Sequence, residues 1–388
     1  RLDAIVDKCG DDRRTSIADA VDDYDYEDLI AEEEQVITLS REGYIKRLPI
    51  DTFKAQNRGG KGIIGATLKE EDNVEQIFTA STHSYLLVFT NKGRAYWTKV
   101  YRLPEGTRNG KGRPIINFIG LTEGEKVQAI VPVRKFGGYF CLVFATKKGV
   151  INKMDLTLFS RPRKAGVNAI SLDEDDELVK VQLVGMSAED FKASQAAEGD
   201  DVDAEAETQA AEAAIAEESE DAEDIEGRPI PKDLLMLATK NGQAVTFPIS
   251  CFRAMGRGTH GVKGITLAEG DEVISLLWLK AGNKIVTITE NGYGKRSEPS
   301  TYRITRRGSK GVRNLNVTDK VGAAVFVESV ADDYDLIITS REGQVIRIKA
   351  ADIRLTGRNA QGVKAISLRE GDVVQDATAL PSVEDIEQ

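Results

Sequence analysis

The sequence predicts an all-β, propeller-like disc of six four-stranded units carrying one acidic insertion. Three observations predict it. A pair of apolar, β-rich runs around a glycine turn recurs six times; a second glycine follows each turn at a near-constant interval; and the one large break in the period coincides with an acidic, Ala-rich stretch.

The first run of each unit is Val36–Leu39, Tyr85–Phe89, Phe140–Phe144, Leu234–Ala238, Lys284–Ile288 and Leu336–Thr339. A tight turn follows, ending in Gly43, Gly93, Gly149, Gly242, Gly292 and Gly343. Asn241-Gly242 and Asn291-Gly292 are strong hairpin dipeptides, because both residues tolerate positive φ. A second β run comes next, as in Tyr44–Arg47 and Val345–Lys349. The second glycine stands at 62, 112, 166, 261, 311 and 362, an interval of 19 residues in five units and 17 in the third. A strand follows it, then in most units an acidic turn and an apolar strand, as in Glu269–Val273 and Glu370–Val374.

Each unit thus reads as four short strands in about 50 residues, too few to cover their own faces, so units must stack or close into a ring. The expected blades are 35–80, 84–133, 138–184, 233–280, 282–328 and 333–380, within a body of 35–388. Residues 1–34 read as an acidic linker, and 185–232 as an insertion between the third and fourth blades rather than a domain boundary.

Charge is segregated along the chain. The 388 residues carry 52 Lys and Arg against 63 Asp and Glu, a formal net charge of −11. Residues 187–226 alone hold −15 and residues 1–34 hold −9, which leaves +13 on the rest. Ser194–Glu226 has no aromatic residue and cannot bury enough apolar surface to offset chain entropy, so it is expected to be disordered or transiently helical. It reads either as a solubilising loop or as a segment that competes with an anionic ligand for the basic surface. Its removal is then expected to tighten that binding most at low salt. No apolar run approaches the roughly 18 residues of a membrane helix, and no signal peptide is evident. A soluble protein of a reducing compartment is the expectation. Cys9, Cys141 and Cys251 form neither a disulfide framework nor a zinc pattern.

The basic residues follow the repeat. Four residues before the second glycine stand Arg58, Arg108, Arg257, Arg307 and Arg358, with Arg161 and Arg163 flanking Pro162 in the third unit. Eight before it stand Lys54, Arg253, Arg303 and Arg354; one before it stand Lys61, Lys111 and Lys310. Tight turns account for the glycines but not for a cation at one offset in five of six units. Equivalent positions of a repeat share one edge, so these side chains form a belt suited to phosphates. Lys46, Arg47, Arg102, Arg113, Lys153, Lys164, Lys263, Lys295, Arg296, Arg306, Arg313, Arg347 and Lys364 are assigned to the same rim. The first unit ends in Gln56-Asn57-Arg58-Gly59-Gly60-Lys61-Gly62, whose glycines free backbone N–H groups to face an anion. It is not a P-loop, since the spacing differs and no Ser or Thr follows the lysine. Gly106–Gly112 is a related loop.

No catalytic or metal site is expected. Two histidines, His83 and His260, support no triad or His-rich centre, and Trp97 and Trp278 lie inside β patterns that assign them to the core.

Gln56–Gly62 closely resembles the seven-residue box in the C-terminal domain of the bacterial DNA gyrase A protein, a type IIA topoisomerase component, with Asn57 where that box typically has arginine. Gly110–Ile116, Arg253–Gly256, Asn291–Arg296 and Gly357–Gly362 match the same family, and Gly10–Thr15 and Glu27–Ile30 resemble the exit from its coiled coil. The resemblance covers nearly the whole chain except the acidic insertion. It implies a six-bladed β-pinwheel that binds, bends and positively wraps duplex DNA without sequence preference, so that ATP-driven strand passage adds negative supercoils. It implies no cofactor here, ATP and Mg acting in other gyrase domains. It places the cleavage tyrosine outside this sequence. The implied partners are DNA, the rest of the gyrase A protein and the gyrase B protein, in an A2B2 complex at the cytoplasmic nucleoid. The isolated domain is expected to be monomeric, with no membrane involved. Two alternatives are the topoisomerase IV counterpart, whose box is degenerate or absent, and a propeller that scaffolds an acidic protein partner.

Overall fold

The structure is a computed structural model that describes residues 26–40, 42–49, 74–107, 110–185, 233–342 and 344–380. The box Gln56–Gly62, Lys54, Arg108, most of the acidic linker and the insertion from 186 to 232 lie outside the described residues. The chain divides into two units, Arg1–Glu32 and Glu33–Gln388. In the first, Tyr26–Leu29 forms a single 3-10 turn.

The second unit is all β. The first repeat supplies β1 (Glu34–Ser40), β2 (Tyr44–Pro49) and β3 (Val74–Ser81). The second supplies β4 (Tyr85–Thr90), β5 (Arg94–Lys99), β6 (Arg113–Pro114) and β7 (Val127–Val133). The third supplies β8 (Phe140–Thr146), β9 (Val150–Asp155), β10 (Val167–Asn168) and β11 (Leu178–Gly185). The fourth supplies β12 (Leu234–Thr239), β13 (Gln243–Pro248), β14 (Val262–Lys263) and β15 (Val273–Leu279). The fifth supplies β16 (Lys284–Thr289), β17 (Tyr293–Ser297), β18 (Val312–Arg313) and β19 (Ala324–Val330). The sixth supplies β20 (Asp335–Ser340), β21 (Val345–Lys349), β22 (Val363–Lys364) and β23 (Val374–Leu380).

Six antiparallel blades result, in the orders β3-β1-β2-β6, β7-β4-β5-β10, β11-β8-β9-β14, β15-β12-β13-β18, β19-β16-β17-β22 and, among the described residues, β23-β20-β21. The fourth strand of a blade is therefore not its own. Sequence reading expects four consecutive strands per blade, yet each two-residue outer strand comes from the next repeat: β6 pairs with β2, β10 with β5, β14 with β9, β18 with β13 and β22 with β17. The long stretch between paired glycines is the reason. It is no hairpin but a crossing that leaves one blade through a 3-10 turn, such as Pro299–Thr301, and caps the open edge of the blade before it.

The second glycine is the seat of that crossing. Gly311 has φ +74°, and a Cβ there would stand 2.1 Å from the carbonyl oxygen of Ala244 on the receiving strand. Only glycine lets the two backbones approach so closely.

The inner strands β3, β7, β11, β15, β19 and β23 contact one another in turn, and β23 returns to β3, so the ring is closed. The core lies between blades. Leu87 and Phe89 of the second blade meet Leu142, Phe144 and Phe159 of the third, with the Phe89 and Phe144 rings edge-on at 5.3 Å. Equivalent buried clusters join blades 1 and 2, 3 and 4, 4 and 5, and 5 and 6. Trp97 packs on the core and its indole N–H donates to the Phe159 carbonyl oxygen at 2.8 Å, while Trp278 packs on the next cluster.

Candidate nucleic-acid interface

The outer strands and the crossings that feed them form the perimeter. Each crossing is bound to the second strand of the preceding blade through backbone. The Arg47 N–H donates to the Pro104 carbonyl oxygen at 3.0 Å and Gly106 N–H donates back to Arg47 at 2.9 Å. Arg296 does the same with Arg354 and Thr356, at 3.1 and 2.8 Å. Neighbouring crossings also touch: Gly258 N–H donates to Ala169 at 2.7 Å, and Gly308 N–H to Gly264 at 2.6 Å. The perimeter from the third to the fifth repeat is thus one hydrogen-bonded track.

On this track the repeat positions become spatial ones. Arg113, Lys263, Arg313 and Lys364 sit on the outer strands β6, β14, β18 and β22, and all are exposed. Arg253, Arg303 and Arg354, eight residues before the second glycine, are exposed on three successive crossings. At the offset of four, Arg257 is exposed, while Arg307 and Arg358 are half-buried and bound to backbone, Arg307 to Cys251 at 3.3 Å and Arg358 to Arg313 at 3.0 Å. Lys310, Arg102 and Arg306 are exposed, as are Arg161, Arg163 and Lys164 in the third repeat. Lys111 is exposed, 3.1 Å from Glu42 and over the Tyr44 ring. Arg347 is exposed, but its Nε and Nη2 both donate to the Asp335 Oδ2.

Four cations assigned to the rim belong instead to the interior. Lys46, Lys153, Lys295 and Arg296 lie on β2, β9 and β17, second strands that the incoming crossing covers, and their exposure is 7%, 1%, 1% and 9%. Each donates to main-chain carbonyls of the crossings that cover it, and Arg296 also pairs with the Asp332 carboxylate. Lys46 donates to Thr107 and Gly110, Lys153 to Ile249, Lys295 to Asn314 and Arg358, and Arg296 to Ile353 and Ala351. Half-buried Arg47 belongs with them through Leu103. Burial holds the Lys46 ammonium below the ordinary lysine range, and that of Lys295 down to about 7, where nearby Arg358 adds to the effect.

Two repeated devices escaped sequence reading. A Ser or Thr three residues before the turn glycine (Ser40, Thr90, Thr146, Thr239, Thr289, Ser340) accepts the backbone N–H of the residue after it. The acidic turns also have a structural use: Asp176, Asp271 and Asp372 accept the backbone N–H of Lys148, Asn241 and Glu342 in the hairpin turn. The first was visible as a fixed offset from the turn glycine, the second as a fixed offset of ten residues from the second glycine. In the second repeat Glu125 takes a related place, its buried carboxylate accepting from Tyr96 at 2.7 Å and from the Thr122 N–H at 2.7 Å. Burial raises its pKa, but those bonds and one from Thr90 outweigh it and hold the carboxyl below its ordinary value.

Among the described residues no cluster of three or more His, Cys, Asp or Glu is placed to hold a metal, and no helix is long and apolar enough to cross a membrane. His260 is exposed, 3.7 Å from Asp173. Among the described residues the arrangement presents a perimeter of exposed cations.

A family model described as the DNA gyrase C-terminal domain, β-propeller, matches residues 34–81, 84–134, 142–184, 233–277, 283–331 and 334–381. The chain is 87% identical over its whole length to the DNA gyrase A protein of Fibrobacter succinogenes (strain ATCC 19169 / S85), covering 44% of that protein. It is 40% identical over 96% of its length to the DNA gyrase A protein of Staphylococcus aureus (strain NCTC 8325 / PS 47), covering 37% of it. The chain therefore spans less than half the length of these curated relatives. Its fold is similar to a solved DNA gyrase A C-terminal domain (TM-score 0.65, 24% identity, 90% of this chain and 100% of that one). It is equally similar to the C-terminal domain of DNA topoisomerase IV (TM-score 0.67, 22% identity, 92% and 97%). These two likenesses show the fold alone.

Proposed function

Because the chain belongs to the DNA gyrase C-terminal domain β-propeller family, we propose that its perimeter binds duplex DNA without sequence preference, bends it and wraps it with positive handedness, serving ATP-driven negative supercoiling by the gyrase complex. The observation that supports this most is the register of exposed cations: Arg253, Arg303 and Arg354 on successive crossings, and Lys263, Arg313 and Lys364 on successive outer strands. A closed ring turns that linear period into a curved row of phosphate contacts.

The scale is consistent. Bending a few tens of base pairs through half a turn costs on the order of 10 kcal/mol. A row of roughly 6–12 phosphate contacts offsets that and gives a salt slope of about −0.9 per contact. Two-residue outer strands present no helix or ribbon long enough to read base edges, which fits backbone recognition. The box Gln56–Gly62 acts in this reading as the clamp that completes the wrap. The partners are DNA, the remainder of the gyrase A protein and the gyrase B protein. DNA cleavage, ATP and Mg belong to those other parts, and the chain itself grips and bends.

The test is duplex binding across a salt series with dyes on the two DNA ends. A slope steeper than about −5 together with approach of the ends supports the reading. Binding without end approach, or a slope near zero, overturns it.

A further inference from the structure

Lys295 joins two neighbouring crossings from inside the ring. Its ammonium, 1% exposed on β17, donates to the carbonyl oxygens of Asn314, just beyond β18, and of Arg358, in the sixth repeat's crossing. The Arg358 guanidinium returns to the Arg313 carbonyl oxygen at 3.0 Å, so the two crossings are stitched twice. Arg313 and Arg358 belong to the cation rows of successive blades, and both stitches fix the distance between them.

We propose that Lys295 is a positioning residue for DNA: it sets the spacing of the phosphate-gripping cations Arg313 and Arg358, and phosphate bound at Arg358 stabilises its buried positive charge. This rests on the DNA-binding reading above. An ammonium in this position is satisfied by carbonyl dipoles, while the guanidinium at the surface repels it. A phosphate neutralising Arg358 removes that repulsion, so DNA binding and protonation of Lys295 favour each other.

The surroundings leave few other titrating groups. Tyr302 reaches Asn314 through its phenol at 2.5 Å, and burial raises its pKa well above the usual phenol value, so it stays neutral. The partner strand β16 presents Thr287 opposite Lys295, and the cation of β22, Lys364, is exposed. Burial brings the Lys295 ammonium down to about 7, so the free ring holds it mostly neutral at pH 8.

The experiment uses the full chain, K295M and R358A with a random-sequence duplex long enough to circle the ring. Binding heats at pH 8 in two buffers of different ionisation enthalpy give the protons taken up. Linking-number change on ligation of a nicked plasmid gives the wrap. Wild type is expected to take up a net fraction of a proton per ring, K295M none at this site and R358A less than wild type. K295M is also expected to lose linking-number shift at saturation. A merely structural lysine would not move the proton count. Wild-type uptake persisting in K295M, or a K295M that wraps like wild type, overturns the proposal and leaves the DNA-binding reading intact. A wild-type chain that does not bind DNA overturns both. If K295M does not fold, R358A decides, because it leaves both acceptor carbonyls in place: uptake equal to wild type overturns the proposal.

Discussion

The Lys46 ammonium donates to the carbonyl oxygen of Gly110 at 2.7 Å, and the two residues belong to consecutive repeats. The loop that faces outward is thus pinned from beneath by a buried cation of the blade it covers. The relationship separates two kinds of basic residue that look alike in sequence: those that hold the crossings and those that the crossings display.

That distinction has a direct consequence for stability. Lys46→Ala removes the donor and leaves the Thr107 and Gly110 carbonyls without it, and is expected to destabilise the ring by about 2–4 kcal/mol. Lys263→Ala, on an exposed outer-strand position, is expected to stay within about 0.5 kcal/mol of wild type. Denaturant unfolding of the two variants is the check, and equal losses would contradict the assignment.

The glycine that seats the crossing gives a second contrast. Gly311→Ala places a methyl 2.1 Å from the Ala244 carbonyl oxygen at positive φ, and is expected to destabilise by roughly 3 kcal/mol or more. Gly256→Ala, with open space around its Cβ position and no positive φ, is expected to change little. Melting temperatures of the pair test it.

Acid sensitivity should be traceable to Glu125. Its folded pKa is held below its unfolded value, so the carboxylate contributes stability above the unfolded pKa of about 4.3 and loses it as pH falls through the folded value. Glu125→Gln is expected to cost about 1–3 kcal/mol at pH 7 and to flatten the decline of stability below pH 5. Unfolding free energies from pH 3 to pH 7 measure both, and an unchanged acid limb would contradict the assignment.

The displayed cations should act on DNA and not on folding. The triple variant Lys263→Ala, Arg313→Ala, Lys364→Ala is expected to reduce the salt slope by roughly 2–3, with unfolding unchanged. A full wild-type slope would remove the outer strands from the interface.

Much of the ring was legible in the chain. The turn glycines, the paired apolar runs and the loop cations are local signals, and each is tied to a repeat offset that places Arg253, Arg303 and Arg354 correctly on the surface. What could not be read locally is strand partnership. Val312–Arg313 is two residues long, and nothing in it says which sheet edge it joins; that is settled by close approach of Gly311 to Ala244, a repeat earlier in the chain. The same non-local fact misled the reading of Lys153 and Lys295. Both look like surface charges of a polar-flanked strand until a crossing from the following repeat covers them.

Whether the perimeter wraps DNA is read most plainly from ligation of a nicked plasmid bound by the chain, with topoisomers resolved on a gel. A positive linking-number shift that grows with protein and saturates is the result the proposed positive wrapping predicts. Tight binding with no shift would contradict it, and would reduce the perimeter to a surface that holds DNA without wrapping it.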